Sequence, residues 1–125
     1  MAKKCKDELI ECIAYLSVDA DLRKVTRLED KQLRYIREYA KANQIKIVDI
    51  VRRNGFGKRD MNRQLGQIVS LIRKKRVQGI ILSNVDTVCD DIEEIYGMVG
   101  KFKAAGGAFV TVDQGRMGMD IKGVV

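Results

Sequence analysis

A hydroxyl and two carboxylates, Ser17, Asp19 and Asp21, follow directly on an apolar run from Leu9 to Leu16. A strand that ends in polar groups ahead of a helix is where open α/β proteins place their sites, because side chains and helix N-termini converge outside the strands' carboxyl ends. Two further stretches carry comparable groups. Arg52, Arg53, Lys58, Arg59 and Arg63 surround the loop Asn54-Gly55-Phe56-Gly57, and Asn84, Asp86, Thr87, Cys89 and Asp90 follow a later apolar run. The cations suit phosphate binding, each ordered contact adding to a salt-dependent affinity. The acids admit two readings. Asp19, Asp21 and Asp86 supply the oxygen ligands that Mg²⁺ takes, or Asp19 or Asp90 caps a helix while Asp21 is solvated.

The rest of the inventory excludes much. The chain has no histidine, which removes nucleophile–histidine catalysis and most zinc sites. Cys5, Cys12 and Cys89 are odd in number and widely spaced, as expected of reduced thiols rather than a disulfide framework or a zinc site. A helix N-terminus near Cys89 would lower its pKa, but no partner base is at hand. No cofactor or bound metal is expected. The formal charge of +7 favours a polyanionic partner. No apolar run approaches the roughly 20 residues of a membrane span, and the opening Met1-Ala2-Lys3-Lys4-Cys5-Lys6 is not a signal peptide, so the expected location is the cytoplasm.

The elements that must position these groups alternate. Leu9–Val18 reads as a strand, Leu28–Asn43 as a helix with Leu33, Ile36 and Ala40 on one stripe, and the β-branched run Ile45–Val51 as a second strand. After the charged loop Arg52–Asp60, Leu65, Ile68, Val69 and Ile72 follow helical spacing up to the basic run Arg73–Arg76, which complements a helix C-terminus. Val77–Leu82 is a third strand. Ile92, Ile95, Val99 and Phe102 mark a third helix behind Asp90 and Asp91, and Ala108–Val112 is a fourth strand. The tail from Asp113 shows no clear period. This order predicts one α/β domain over residues 1–125, a mostly parallel sheet of four to five strands with helices on both faces, in three α/β/α layers. Strand alternation puts Tyr15, Ser17 and, if the strand persists, Asp19 on one polar face aimed at the crevice.

The order and spacing of several short pieces resemble the catalytic domain of the serine recombinases, the resolvase and invertase family. The carriers are Ile13–Asp19, the helix Gln32–Ala40, Asn54-Gly55-Phe56-Gly57 with Arg63, then Val77–Leu82, Val85–Asp90 and Phe109–Asp113. In that family a serine hydroxyl attacks a DNA phosphodiester to form a phosphoserine link, and arginines surround the scissile phosphate. The resemblance thus marks Tyr15, Ser17, Asp19, Arg63, Asp86, Thr87 and Asp90 as the family's active-site positions. Tyr15, Val18, Arg63 and Asp86 match. Ser17 stands in an arginine's position, Asp19 in the nucleophile's, Thr87 and Asp90 in those of two more arginines, and Gln64 where a proline follows Arg63. Losing three arginines and gaining two acids shifts the pocket charge by about five units against a phosphate, and one lost oxyanion donor alone costs roughly 2.7–4 kcal/mol.

The resemblance therefore implies a domain that does not cut DNA. The expected role is association, with DNA phosphates through Arg52, Arg53, Lys58, Arg59 and Arg63, with itself, or with an active recombinase, and with no membrane. No separate DNA-binding module is recognised. The alternatives are an acidic Mg²⁺-binding module like the receiver domains of response regulators, and a purely structural adaptor.

Overall fold

The structure, a computed structural model, describes residues 9–18 and 20–117. The elements run β1 (Ile10–Leu16), α1 (Leu22–Ala42), β2 (Ile45–Arg52), α2 (Lys58–Arg73), β3 (Gly79–Leu82), a 3₁₀ turn (Val85–Thr87), α3 (Ile92–Ala104), β4 (Ala108–Thr111) and β5 (Gly115–Met117). The sheet order is β2-β1-β3-β4-β5, parallel except for β5, which pairs antiparallel with β4. The expected α/β architecture is the observed one.

Alternation along β1 divides the core into two layers. Cys12, Ala14 and Leu16 face α1, where they pack with Ile36, Ala40, Ile81 and Val110. Ile13 and Tyr15 face the opposite side, against Met61, Leu65 and Ile68 of α2 and Val99 and Phe102 of α3. Phe102 meets Phe109 of β4 edge to face, with centroids 5.3 Å apart, a geometry worth about 0.5–1.5 kcal/mol beyond the area it buries. At the exposed edge, β2 carries an irregularity: Cys12 pairs with Ile47 but Ile13 with Asp49, so Val48 bulges out of register. A bulged edge strand with Lys46 and Asp49 exposed is a poor template for further strand pairing.

Strands β1, β3 and β4 are shorter than the sequence reading, β1 ending at Leu16 rather than Val18 and β3 beginning at Gly79 rather than Val77, and α2 begins at Lys58, inside the expected loop. Three further differences have a clear cause. α1 begins at Leu22 rather than Leu28, because the Asp21 carboxylate accepts a hydrogen bond from the Arg23 N–H at 3.1 Å and caps the helix. Asp21 is thus a cap and not merely solvated. α3 is capped by Asp91, which accepts from the Glu94 N–H at 2.9 Å, and not by Asp90. β5 arises in the tail left unassigned; three residues are too short to show a period, and Gly115 at φ 78° makes the return. None of the described helices is long and apolar enough to cross a membrane.

Candidate functional site at the carboxyl edge

β1 is joined in sequence to β2 on one side, while β3 lies on its other side. That reversal is the switch point, outside whose strand ends open α/β sheets form a crevice. Here the crevice is filled. Ser17 is 1% exposed. Its backbone N–H donates to Gln32 Oε1 at 2.9 Å, and Gln32 Nε2 donates to the Ser17 carbonyl at 2.7 Å and to Ser83 Oγ at 3.2 Å. One carboxamide of α1 therefore ties the ends of β1 and β3 together. The Ser17 hydroxyl donates to the Thr87 carbonyl at 2.9 Å and accepts from Arg53 Nη1 at 3.2 Å. The polar face read from sequence as aimed at an open crevice is a buried hydrogen-bonded layer, because Gln32 and the 3₁₀ turn close over it.

Tyr15 lies in the same layer at 1% exposure. Its hydroxyl donates to Gln64 Oε1 at 2.6 Å, and Gln64 Nε2 donates to the Arg52 carbonyl at 3.0 Å. Burial raises the phenol's pKa; the Arg53 charge opposes this in part and the Glu29 charge adds to it. The tyrosine is a fixed, neutral donor.

Beside this layer the loop after β2 turns tightly. Asn54 and Gly55 both have positive φ, 55° and 77°, and Phe56 N–H donates to the Arg53 carbonyl at 3.1 Å. An Asn-Gly pair is the usual solution where two successive residues need positive φ. The turn is held from below by Glu29, 0% exposed, whose Oε2 accepts from the Asn54 N–H at 3.1 Å. The other oxygen, Oε1, lies 3.7 Å from Arg52 Nη1, and neither atom has a hydrogen-bond partner among the described residues. Desolvation raises the Glu29 pKa, with the Asn54 N–H and Arg52 opposing it.

The cations named from sequence fall into three groups. Arg52 is paired with Asp30 at 2.7 Å as well as with Glu29. Arg53 donates from Nε to the Phe56 carbonyl at 2.7 Å and to Ser17. Lys58 is held between Asp90, at 2.7 Å, and Glu94, at 2.7 Å; hydrogen bonds to Asp90 and then Glu94 raise its pKa, and the Lys58 hydrogen bond, followed by that from the Asp90 N–H, holds the Glu94 carboxyl below the ordinary range. Arg63 points along α2 to Asp60 at 2.7 Å, mostly exposed. Arg59 is exposed and in no ion pair among the described residues. A phosphate at this edge would have to compete with the chain's own acids for Arg52, Lys58 and Arg63.

A cavity of about 150 Å³ brings part of the predicted set together: Arg53, Lys58 and Met61 on one side, Asp86, Thr87, Val88 and Asp90 on the other. Arg52, Arg59, Arg63, Tyr15 and Ser17 do not line it. Thr87 Oγ1 is turned to the Asn84 carbonyl at 2.8 Å. Cys89 is buried, and desolvation and then the Glu94 charge push its thiol up to about 11, the opposite of the activation a helix N-terminus would give. Asp19 lies outside the described residues. Among the described residues no three His, Cys, Asp or Glu side chains cluster as metal ligands would.

Gln32, Glu29 and Glu94 were not singled out by the sequence reading, and Gln64 was noted only as standing in a proline's place. The first two carried a signal. They fall at helical spacing from Val25, Ile36 and Ala40, on the buried stripe of α1, where an uncompensated polar group is costly. Such positions mark polar side chains committed to inward hydrogen bonds.

An open parallel sheet with its polar groups gathered at the switch point defines a class of α/β domain, and the family follows from comparison. The family Resolvase, N terminal domain, matches residues 22–123, and the chain belongs to it. The match begins after β1, so Tyr15 and Ser17 lie outside the matched segment. The fold is similar to that of a resolvase family site-specific recombinase from Streptococcus pneumoniae, with a TM-score of 0.70 and 17% identity over 85% of this chain and 74% of that one. It is also similar to the C-terminal catalytic domain of ISC1926 TnpA, an IS607-like serine recombinase, with a TM-score of 0.66 and 19% identity over 82% and 70%. The N-terminal catalytic domain of TP901-1 integrase gives 0.66 and 16% over 84% and 79%. Comparison with curated proteins finds no match.

Proposed function

We propose that this resolvase-family domain acts by association, with DNA and with recombinase subunits, and does not cut DNA. One observation carries the reading: the Ser17 hydroxyl, the serine hydroxyl nearest in sequence to the family's nucleophile position, is 1% exposed and engaged both as donor, to Thr87, and as acceptor, from Arg53. A nucleophile needs a free lone pair within reach of the phosphorus and a base or field to activate it. The charge of the pocket supports the same reading, since Asp86 and Asp90 line it alongside Arg53 and Lys58, and Lys58 is already neutralised by Asp90 and Glu94. Asp19 in the nucleophile's position completes the argument from sequence.

The test uses fragmented genomic DNA of the encoding organism, which contains every natural site. The unmodified protein is expected to give no denaturant-resistant protein–DNA adduct. The triple variant Ser17→Arg, Asp19→Ser, Thr87→Arg, which restores the family pattern, serves as the comparison. A serine-linked adduct formed by the unmodified chain overturns the proposal.

A further inference from the structure

The loop cations are largely occupied by the chain's own acids, yet the chain carries a formal +7. A continuous share of the unpaired charge lies elsewhere, on α1. Lys24, Arg27, Lys31, Arg34, Arg37 and Lys41 are all exposed, and none is in an ion pair among the described residues. Their spacing of three, four, three, three and four residues keeps them on one side of the helix, opposite the buried stripe of Val25, Glu29, Ile36 and Ala40. Two acids share that side: Asp30, already paired with Arg52, and Glu38. At 1.5 Å per residue the line from Lys24 to Lys41 is about 25 Å long.

A second feature continues the line. Beyond the C-terminal end of α1 an open groove of about 500 Å³ has a floor of Leu9, Ile45 and Ile47 and a rim of Arg37, Lys41 and Lys46, with no acidic side chain lining it among the described residues. The cationic surface therefore runs from the helix onto the edge of the sheet.

We propose that this outer face of α1 is the surface on which the chain receives the sugar-phosphate backbone of duplex DNA, on the sheet face away from α2 and α3. The inference rests on the associative reading above but places the contact away from the family's site. Charge complementarity selects the partner: a straight row of cations meets a duplex carrying one negative charge per roughly 1.7 Å of axis. A membrane surface fits less well, because an interfacial helix needs an apolar face to insert and that of α1 is spent on the sheet. The contact is to phosphates and carries no sequence preference of its own.

The experiment measures binding of the full chain to a 20-bp duplex between 50 and 200 mM salt, for the unmodified protein, for Arg27→Gln/Lys31→Gln/Arg34→Gln, and for Arg73→Gln/Lys74→Gln/Arg76→Gln as a charge-matched control. With six contacts the unmodified protein loses affinity about two-thousandfold across that range, and with three the α1 variant loses about fortyfold. The control is expected to keep the unmodified slope. Equal loss of slope in both variants would reduce the effect to net charge and overturn the proposal, as would absence of duplex binding at 50 mM salt. Tighter binding to phosphatidylserine vesicles than to the duplex would also overturn it. None of these outcomes bears on strand cleavage, which the adduct assay reads separately.

Discussion

Replacing Gln32 by alanine removes the link between α1 and the ends of β1 and β3. Three hydrogen bonds go, at 2.9, 2.7 and 3.2 Å. Two of the groups left behind are the N–H and C=O of Ser17, a residue 1% exposed. Each orphaned buried group costs about 1–3 kcal/mol, and water entering the space vacated by the carboxamide recovers part of that. A net loss of about 3 kcal/mol follows. For a chain of this size each kcal/mol moves Tm by about 4 °C, so the midpoint falls by about 12 °C. Urea titration followed by circular dichroism gives the free energy, with the slope expected unchanged. Gln32→Glu should rescue little, because a carboxylate accepts from the Ser17 N–H but repels its carbonyl. A Gln32→Ala loss below about 0.5 kcal/mol, the range of an ordinary surface substitution, would refute the idea that this amide closes the switch-point crevice.

Other residues give further expectations. Glu29 holds its proton more tightly when folded than when unfolded, since its folded pKa is raised. Its contribution is therefore most favourable below the unfolded pKa and is lost as pH rises from about 4.5 through the folded value. Glu29→Gln should remove that negative slope of stability against pH, measured by urea titrations at a series of pH values; an unchanged slope would mean another group causes it. Lys58→Met should let the Glu94 carboxyl rise back toward its ordinary pKa, read by NMR titration of its side-chain carbon; no movement would deny the ion pair in solution. Gly79→Ala places a methyl carbon 2.6 Å from the Ala108 carbonyl oxygen, so β3 and β4 must part and a loss of about 1–3 kcal/mol is expected. Phe102→Ala, at 1% exposure and packed on Phe109, should cost about 3–5 kcal/mol in the same titration.

The architecture was legible because each element advertises its period. Leu65, Ile68, Val69 and Ile72 repeat as a helix must, and the β-branched runs Ile45–Val51 and Val77–Leu82 leave little choice but strands. β5 was not legible, since Gly115–Met117 is defined by pairing with β4 and not by its own pattern. The start of α1 was missed for a related reason: Leu22, 71% exposed, gives no periodic signal, and only the Asp21 cap marks the boundary. At the site, sequence located the right loops but could not say which charges cancel. Lys58 and Asp90 stand far apart in the chain and meet at 2.7 Å. Ser17 looked exposed because it ends a strand, and is buried because Gln32, on another element, folds over it. Long-range side-chain pairing of this kind has no local signature.

The central claim, association with DNA without strand cleavage, is tested most directly by resolving one incubation of the full chain and end-labelled genomic fragments in two ways. On a native gel the fragments should be retarded at low salt, and after denaturation the same fragments should run free and intact. Fragments that are cut, or that stay joined to the protein through a serine ester after denaturation, would contradict it.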